Sequence, residues 1–227
     1  MAQHIFIQGP LGAGKTLYMS TLAHHWRNMV RRMGGDLALF SNYGLEDSEE
    51  MLEYQDWYDV AEAQGSICCW DEAHTAFDSR KSTSSQGTNG SQLMMYTRKM
   101  KSVQLYCSPS IRNVDTRLRN IIEVLISVRK HGKGMKVQFQ DYQTGEFMRE
   151  TYVSPALKRM MFKQKLYDTH AMVNLFPLPK TDREAQKFFQ ELKQRHDNSR
   201  QSNYQKSQEV IKHDTSSSRE SIQVVTS

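Results

Sequence analysis

Gly9-Pro10-Leu11-Gly12-Ala13-Gly14-Lys15-Thr16 satisfies the pattern G-x-x-x-x-G-K-[ST]. Residues of these types at this spacing suit one kind of chemistry, the holding of a phosphate chain. Glycines let the backbone curl without a Cβ clash, so successive N–H groups point inward at an anion. A helix opening at the end of the turn adds the positive end of its dipole. Lys15 is expected to reach the β- and γ-phosphates of a nucleotide, and the Thr16 hydroxyl to ligate Mg2+. The expected ATP-binding set is Gly9, Pro10, Leu11, Gly12, Ala13, Gly14, Lys15, Thr16 and Leu17.

A cation on a triphosphate needs an acid at the end of another strand. Ser66-Ile67-Cys68-Cys69-Trp70-Asp71-Glu72, an apolar run ending in two carboxylates, supplies it. Asp71 is expected to hold Mg2+, usually through water. Glu72 is expected to polarise the attacking water, which favours hydrolysis over phosphoryl transfer to a small molecule. Both carboxylates are expected to face the glycine-rich turn from the end of the neighbouring strand. Asp71-Glu72-Ala73-His74 also spells the motif of a helicase class, but those helicases need a much longer chain. His74 therefore reads as an ordinary polar residue opening a helix. Two rivals keep the loop and change the outcome: a small-molecule kinase, for which no lid is evident, and a scaffold that binds ATP and barely hydrolyses it.

Further along, Val103-Gln104-Leu105-Tyr106-Cys107 runs into Ser108-Pro109-Ser110, making Ser108 the candidate sensor of the γ-phosphate. Arg112, Arg117 and Arg119 follow in SIRNVDTRLRN, and Arg98 precedes the strand. A guanidinium stays charged and forks onto phosphate, so these are candidate fingers, Arg112 and Arg117 first. A finger acting in trans requires a ring of subunits.

These residues meet only if short strands and helices alternate. Residues 3–8, 37–40, 66–70, 103–107 and 121–128 read as strands. Residues 15–32 have helical spacing with Gly34-Gly35 as a stop, and residues 48–63 read as an acidic amphipathic helix. Runs at 135–142 and 146–153 flank Gln143-Thr144-Gly145 as a hairpin. The reading is an α/β fold with a mainly parallel sheet covered on both faces by helices, plus a C-terminal hairpin and helical extension.

The 227 residues suffice for one domain and a tail, and none of the chain approaches the ~20 apolar residues of a membrane span. The start, MAQHIFIQGP, lacks the pattern of a signal peptide. Three cysteines, Cys68, Cys69 and Cys107, have no metal-ligand spacing and read as buried thiols. The net charge of +5 is unevenly spread. Residues 46–62 carry eight acids and no Lys or Arg, whereas residues 94–136 carry ten bases and two acids. A block that basic attracts a polyanion. Residues 79–91 are Ser/Gly-rich and read as a flexible loop. Residues 195–227 hold eight Ser and only six apolar or aromatic residues, too few to offset chain entropy, so they read as a disordered tail. The expected boundaries are 1–176 for the ATPase domain, 177–194 for a helical extension, and 195–227 for the tail.

The order of loop, strand with Asp-Glu, Arg-Lys pair, fourth strand and I-R-x-V-D-x-R-x-R element resembles the FtsK–HerA superfamily of DNA-pumping P-loop ATPases with RecA-like cores. Within it, the chain resembles the genome-packaging ATPases of membrane-containing icosahedral (tectivirus-like) phages. It is also similar to the zonula-occludens-toxin-like ATPases of filamentous phages, whose late Tyr-Asp-Thr-His element matches Tyr167-Asp168-Thr169-His170. The resemblance spans roughly residues 3–175. Many relatives end the fourth strand in Gln, where this chain offers Cys107-Ser108. The resemblance implies an ATP- and Mg2+-dependent ring that moves viral double-stranded DNA into a preformed capsid, working at the packaging vertex of the virion and in the host cytoplasm with capsid or vertex membrane proteins. Arg80, Lys81, Arg98, Lys99 and Lys101 are the expected DNA contacts, made to phosphates and therefore tolerant of sequence. The alternative it implies is a toxin-like assembly or export ATPase acting with a membrane partner.

Overall fold

The computed structural model describes residues 3–75, 77 and 85–223. Among them, eight strands form one sheet in the order β3-β2-β4-β5-β1-β6-β7-β8. The strands are β1 (His4–Gln8), β2 (Ala38–Ser41), β3 (Glu49–Glu50), β4 (Ser66–Trp70), β5 (Ser102–Ser108), β6 (Val124–His131), β7 (Gly134–Asp141) and β8 (Phe147–Val153). The first six in chain order pair in parallel, and β7 and β8 extend the sheet antiparallel. The helices are α1 (Lys15–Arg32), α2 (Trp57–Glu62), α3 (Ser85–Thr97), α4 (Thr116–Ile121), α5 (Pro155–Lys163) and α6 (Asp182–Gln223). This is the mixed α/β arrangement that the alternation of elements predicts.

Strand side chains alternate between two faces, so each strand feeds two cores. Phe6, Phe40, Cys68, Trp70 and Tyr106 point to the face covered by α2, α3, α4 and the first half of α6. Ile7, Leu39, Ile67, Cys69, Leu105 and Cys107 point to the face covered by α1 and α5. Strands buried on both sides need unbroken hydrophobicity, which is why SICCW has no polar alternation. All three cysteines are free and buried. Burial first, and the Asp71 charge second, hold the Cys107 thiol well above its ordinary value.

Several sequence expectations are corrected. The acidic stretch 48–63 is not one helix. Glu49–Glu50 pairs with β2, and a 3-10 turn (Tyr54–Asp56) precedes α2. Asp56 Oδ2 accepts the N–H groups of Leu52 (2.7 Å) and Glu53 (2.8 Å), which caps the turn and stops a helix from running through it. The Ser/Gly-rich segment is helical from Ser85, because α3 buries Leu93 and Met94 against Tyr106 and Phe77. Strand β6 begins at Val124, not at 121, because Asp115 caps α4 by accepting from Arg117 N at 2.6 Å and the helix consumes residues through Ile121.

The boundary expected at 194–195 has no counterpart in the backbone, since α6 runs through it. Thr181 and Glu184 start the helix as a reciprocal cap, with Glu184 N donating to Thr181 Oγ1 (3.2 Å) and Thr181 N to Glu184 Oε2 (3.0 Å). Phe188 and Leu192 are buried in the main core. Past residue 194, Arg195 still bonds Glu62 (2.6 Å), and Ser199 Oγ donates to the Glu62 carbonyl (2.8 Å). Among the described residues no helix is long and apolar enough to cross a membrane.

Candidate functional site

Strand β1 ends in the glycine-rich turn, and α1 begins at Lys15. The first turn of α1 has no acidic residue and no side-chain cap, so the positive end of the helix dipole faces the turn uncompensated by side-chain charge. Lys15 is buried, and the hydrogen bond the structure gives its ammonium is a long one to the Pro10 carbonyl, 3.4 Å. A nearly buried cation with three donors meets one weak acceptor among the described residues, and an anion in the turn would satisfy it.

The turn is pressed against the β6–β7 hairpin. A Cβ on Gly9 would stand 2.1 Å from the Val128 carbonyl oxygen, so only glycine fits there. A Cβ on Gly12 would come 3.4 Å from Lys130 Nζ. Lys130 thus leans over the loop from the end of β6 and adds a second cation beside Lys15. The sequence reading held Lys130 only as one member of the basic block.

The Thr16 hydroxyl donates to Asp71 Oδ2 at 2.9 Å. The expectation that the acids face the loop from the neighbouring strand is corrected, because β5 lies between β1 and β4. Asp71 still meets Thr16 because α1 packs across β4 and β5 through Leu17, Met19 and Ala23 against Ile67, Cys69, Leu105 and Cys107. A hydroxyl and a carboxylate side by side form an oxygen donor set suited to Mg2+. The residues present therefore fit a magnesium nucleotide.

Asn42, just past β2, holds the Asp71 peptide at both ends. Asp71 N donates to Asn42 Oδ1 (2.8 Å), and Asn42 Nδ2 donates to the Asp71 carbonyl (3.1 Å) and to the Asn174 carbonyl (2.9 Å). The Asn174 side chain donates to Glu50 at 2.7 Å. Residues 166–174 form a strap over the β2 end, with Leu45 bridged to Tyr167 and Asp168 N donating to the Gly44 carbonyl at 2.7 Å. Asn42→Ala would leave the Asp71 N–H and C=O buried without partners. It is expected to destabilise the fold by about 2–6 kcal/mol, at about 1–3 kcal/mol per orphaned group. Urea unfolding beside the wild type checks this; an unchanged midpoint would show that Asn42 does not anchor Asp71.

Glu72 follows in a left-handed backbone conformation, φ 49°. Its carboxylate Oε2 lies 3.2 Å from His74 Nδ1, and that nitrogen is also 3.2 Å from Ser108 Oγ. Ser108 is fully buried as the last residue of β5, between the loop strand and the acidic strand. His74 is therefore not merely a helix opener. It sits in a 3-10 turn (Ala73–Thr75) between Glu72 and Ser108, a juxtaposition made by pairing of β4 with β5 and not readable from the local sequence.

Arg112 and Arg117 lie exposed on the segment after β5, on the loop side of the sheet, where Ile111 N donates to Gln8 Oε1 at 3.1 Å. Arg98, Lys99 and Lys101 are exposed at the other edge, just before β5 begins. The basic block 94–136 is thus divided between two ends of the sheet, about 20 Å apart for a strand of this length. Arg80 and Lys81 lie outside the described residues.

No protein-family model matches the chain, and no curated protein matches it. Solved structures do. The N-terminal domain of zonular occludens toxin from Neisseria meningitidis superposes with a TM-score of 0.50 at 18% identity, covering 79% of this chain and 96% of that domain. The genome packaging NTPase of Sulfolobus turreted icosahedral virus 2, in complex with ATP-gammaS, superposes at 0.45 with 7% identity, covering 68% and 98%. Its complex with AMPPCP superposes at 0.46 with 9% identity, covering 67% and 97%. The likeness to the toxin domain is one of fold: a mixed α/β arrangement with a mostly parallel sheet flanked by helices.

Proposed function

We propose that the chain is a magnesium-dependent ATPase of the zonula-occludens-toxin type, serving phage assembly or export with a membrane partner. The observation that carries the nucleotide part is the meeting of Thr16 and Asp71 at 2.9 Å beside the buried Lys15. The toxin-like part is supported by the fold likeness to the toxin domain and by the Tyr167–His170 element in the strap that buttresses Asn42 and Asp71. On that support we prefer the toxin-type reading to the packaging motor.

The polyphosphate would be held by the loop N–H groups, Lys15 and Lys130. Thr16 and Asp71 would hold Mg2+, which when bound neutralises phosphate charge. Glu72, half-exposed beside them, would take the proton of the attacking water at its carboxylate. Ser108 would sense the γ-phosphate. Arg112 and Arg117, exposed on the loop side, would serve a neighbouring copy in a homo-oligomeric ring.

Titration with a fluorescent ATP analogue tests the binding half. Lys15→Ala is expected to weaken binding about 10–100-fold, the worth of a charge-assisted bond of ~1.5–3 kcal/mol. Lys130→Ala, at an exposed position, is expected to weaken it several-fold. Wild-type affinity in Lys15→Ala would overturn the site.

A packaging motor for double-stranded viral DNA, at a virion vertex with capsid or vertex membrane proteins, is the second reading. The exposed group Arg98, Lys99 and Lys101 favours it. The two readings part on stimulation of ATP turnover. Salt-sensitive stimulation by duplex DNA, lost on replacing those three bases, supports the motor. Indifference to duplex DNA, with turnover raised by anionic vesicles carrying the partner, supports the assembly ATPase.

A further inference from the structure

We infer that His74 is a positioning residue for hydrolysis, holding the Glu72 carboxylate through the same Nδ1 atom that meets the Ser108 hydroxyl. The inference rests on Glu72 as the base. Three elements converge to build this junction. Glu72 ends the turn after β4 in a strained left-handed conformation, the kind of backbone retained only where the surroundings over-determine it. The 3-10 turn carrying His74 is closed by Thr75, whose N–H and hydroxyl both donate to the Glu72 carbonyl at 2.9 Å. Ser108 is fixed by the parallel pairing of β5 with β1, opposite Gln8. Among the described residues, His74 is the partner of the Glu72 carboxylate.

One ring nitrogen has one site in the ring plane. Protonated, it donates; deprotonated, it accepts. Glu72 Oε2 lies at ion-pair distance from Nδ1, 3.2 Å, and a carboxylate only accepts, so a hydrogen bond to it requires the proton on Nδ1. In the other tautomer Nδ1 accepts from Ser108 Oγ, and Glu72 loses its donor. The two 3.2 Å contacts therefore compete for one nitrogen. Whatever draws the Ser108 hydroxyl away commits His74 to Glu72 and fixes the direction of the base. The sensor at the end of β5 and the base at the end of β4 are linked through this imidazole.

The test compares His74→Asn, His74→Gln and His74→Ala in the full chain. Asn places an amide nitrogen near the position of Nδ1, whereas Gln reaches the position of Nε2. Ala and Gln are expected to lower kcat about tenfold and Asn to recover it to within about threefold, as for partners that orient a reacting group. KM and affinity for a fluorescent ATP analogue stay at wild-type values in all three, which a general loss of structure would not allow. In a Glu72→Gln background, His74→Ala adds less than about twofold, because its route runs through Glu72. Nitrogen-15 NMR of labelled histidines gives a readout without turnover: the His74 Nδ1–H signal of the nucleotide-free protein moves in Glu72→Gln and in Ser108→Ala. Wild-type kcat in His74→Ala, equal rescue by Gln and Asn, or an unmoved Nδ1 signal overturns the inference while leaving Glu72 as base. Wild-type turnover in Glu72→Gln overturns the reading beneath it as well.

Discussion

Glu72→Gln is expected to cut ATP turnover by about 10²–10⁴-fold, the usual contribution of a positioned general base, with nucleotide affinity unchanged. The amide keeps the shape of the carboxylate and removes its capacity to take a proton. On the proposed reading binding depends on the loop, Lys15, Thr16 and Asp71, none of which the substitution alters. Glu72 N donates to Asp71 Oδ1 at 3.0 Å through its backbone, so the metal-side geometry survives. The measurement is steady-state turnover beside equilibrium titration. A variant that binds and hydrolyses like the wild type would show that another group activates water. A variant that loses affinity as well would show that the charge of Glu72, not its basicity, serves the site.

Gly9→Ala is expected to abolish nucleotide binding and to destabilise the fold by about 3 kcal/mol or more, in the upper range for forced overpacking. The added Cβ would lie 2.1 Å from a backbone oxygen, which has no rotamer to escape into. Strand β6 would have to move off β1, breaking the pairing that sets Gln8 opposite Ser127. Lys130, two residues beyond Val128, would move with it. Chemical denaturation and analogue titration read the two effects separately. Wild-type stability in Gly9→Ala would mean that the β1–β6 contact is looser than the structure has it.

The site divides into a part written locally and a part made by pairing. The loop, Lys15, Thr16 and the apolar run ending in Asp71-Glu72 are local patterns, because each needs only a strand followed by a turn of defined residue types. Asn42 was missed because an Asn after a strand is an ordinary turn residue; its partners lie 29 and 132 positions away. His74 was dismissed because its partner Ser108 is 34 residues distant. The acidic stretch misled because charge and periodicity pointed to a helix while the Asp56 cap and a strand pairing outweighed them.

Residue order alone determined that this chain carries a glycine-rich turn between a strand and a helix, an acidic strand end and a layered α/β core, because those are set by short-range sterics and by the period of apolar side chains. The tertiary structure alone decided that β5 separates the two strands, that Lys130 overhangs the turn, that one imidazole joins Glu72 to Ser108, and that the basic block is split across the sheet. Such facts depend on which strands lie side by side, and lateral order is chosen by the burial of both faces of the sheet at once, a sum over the whole chain that no local window contains.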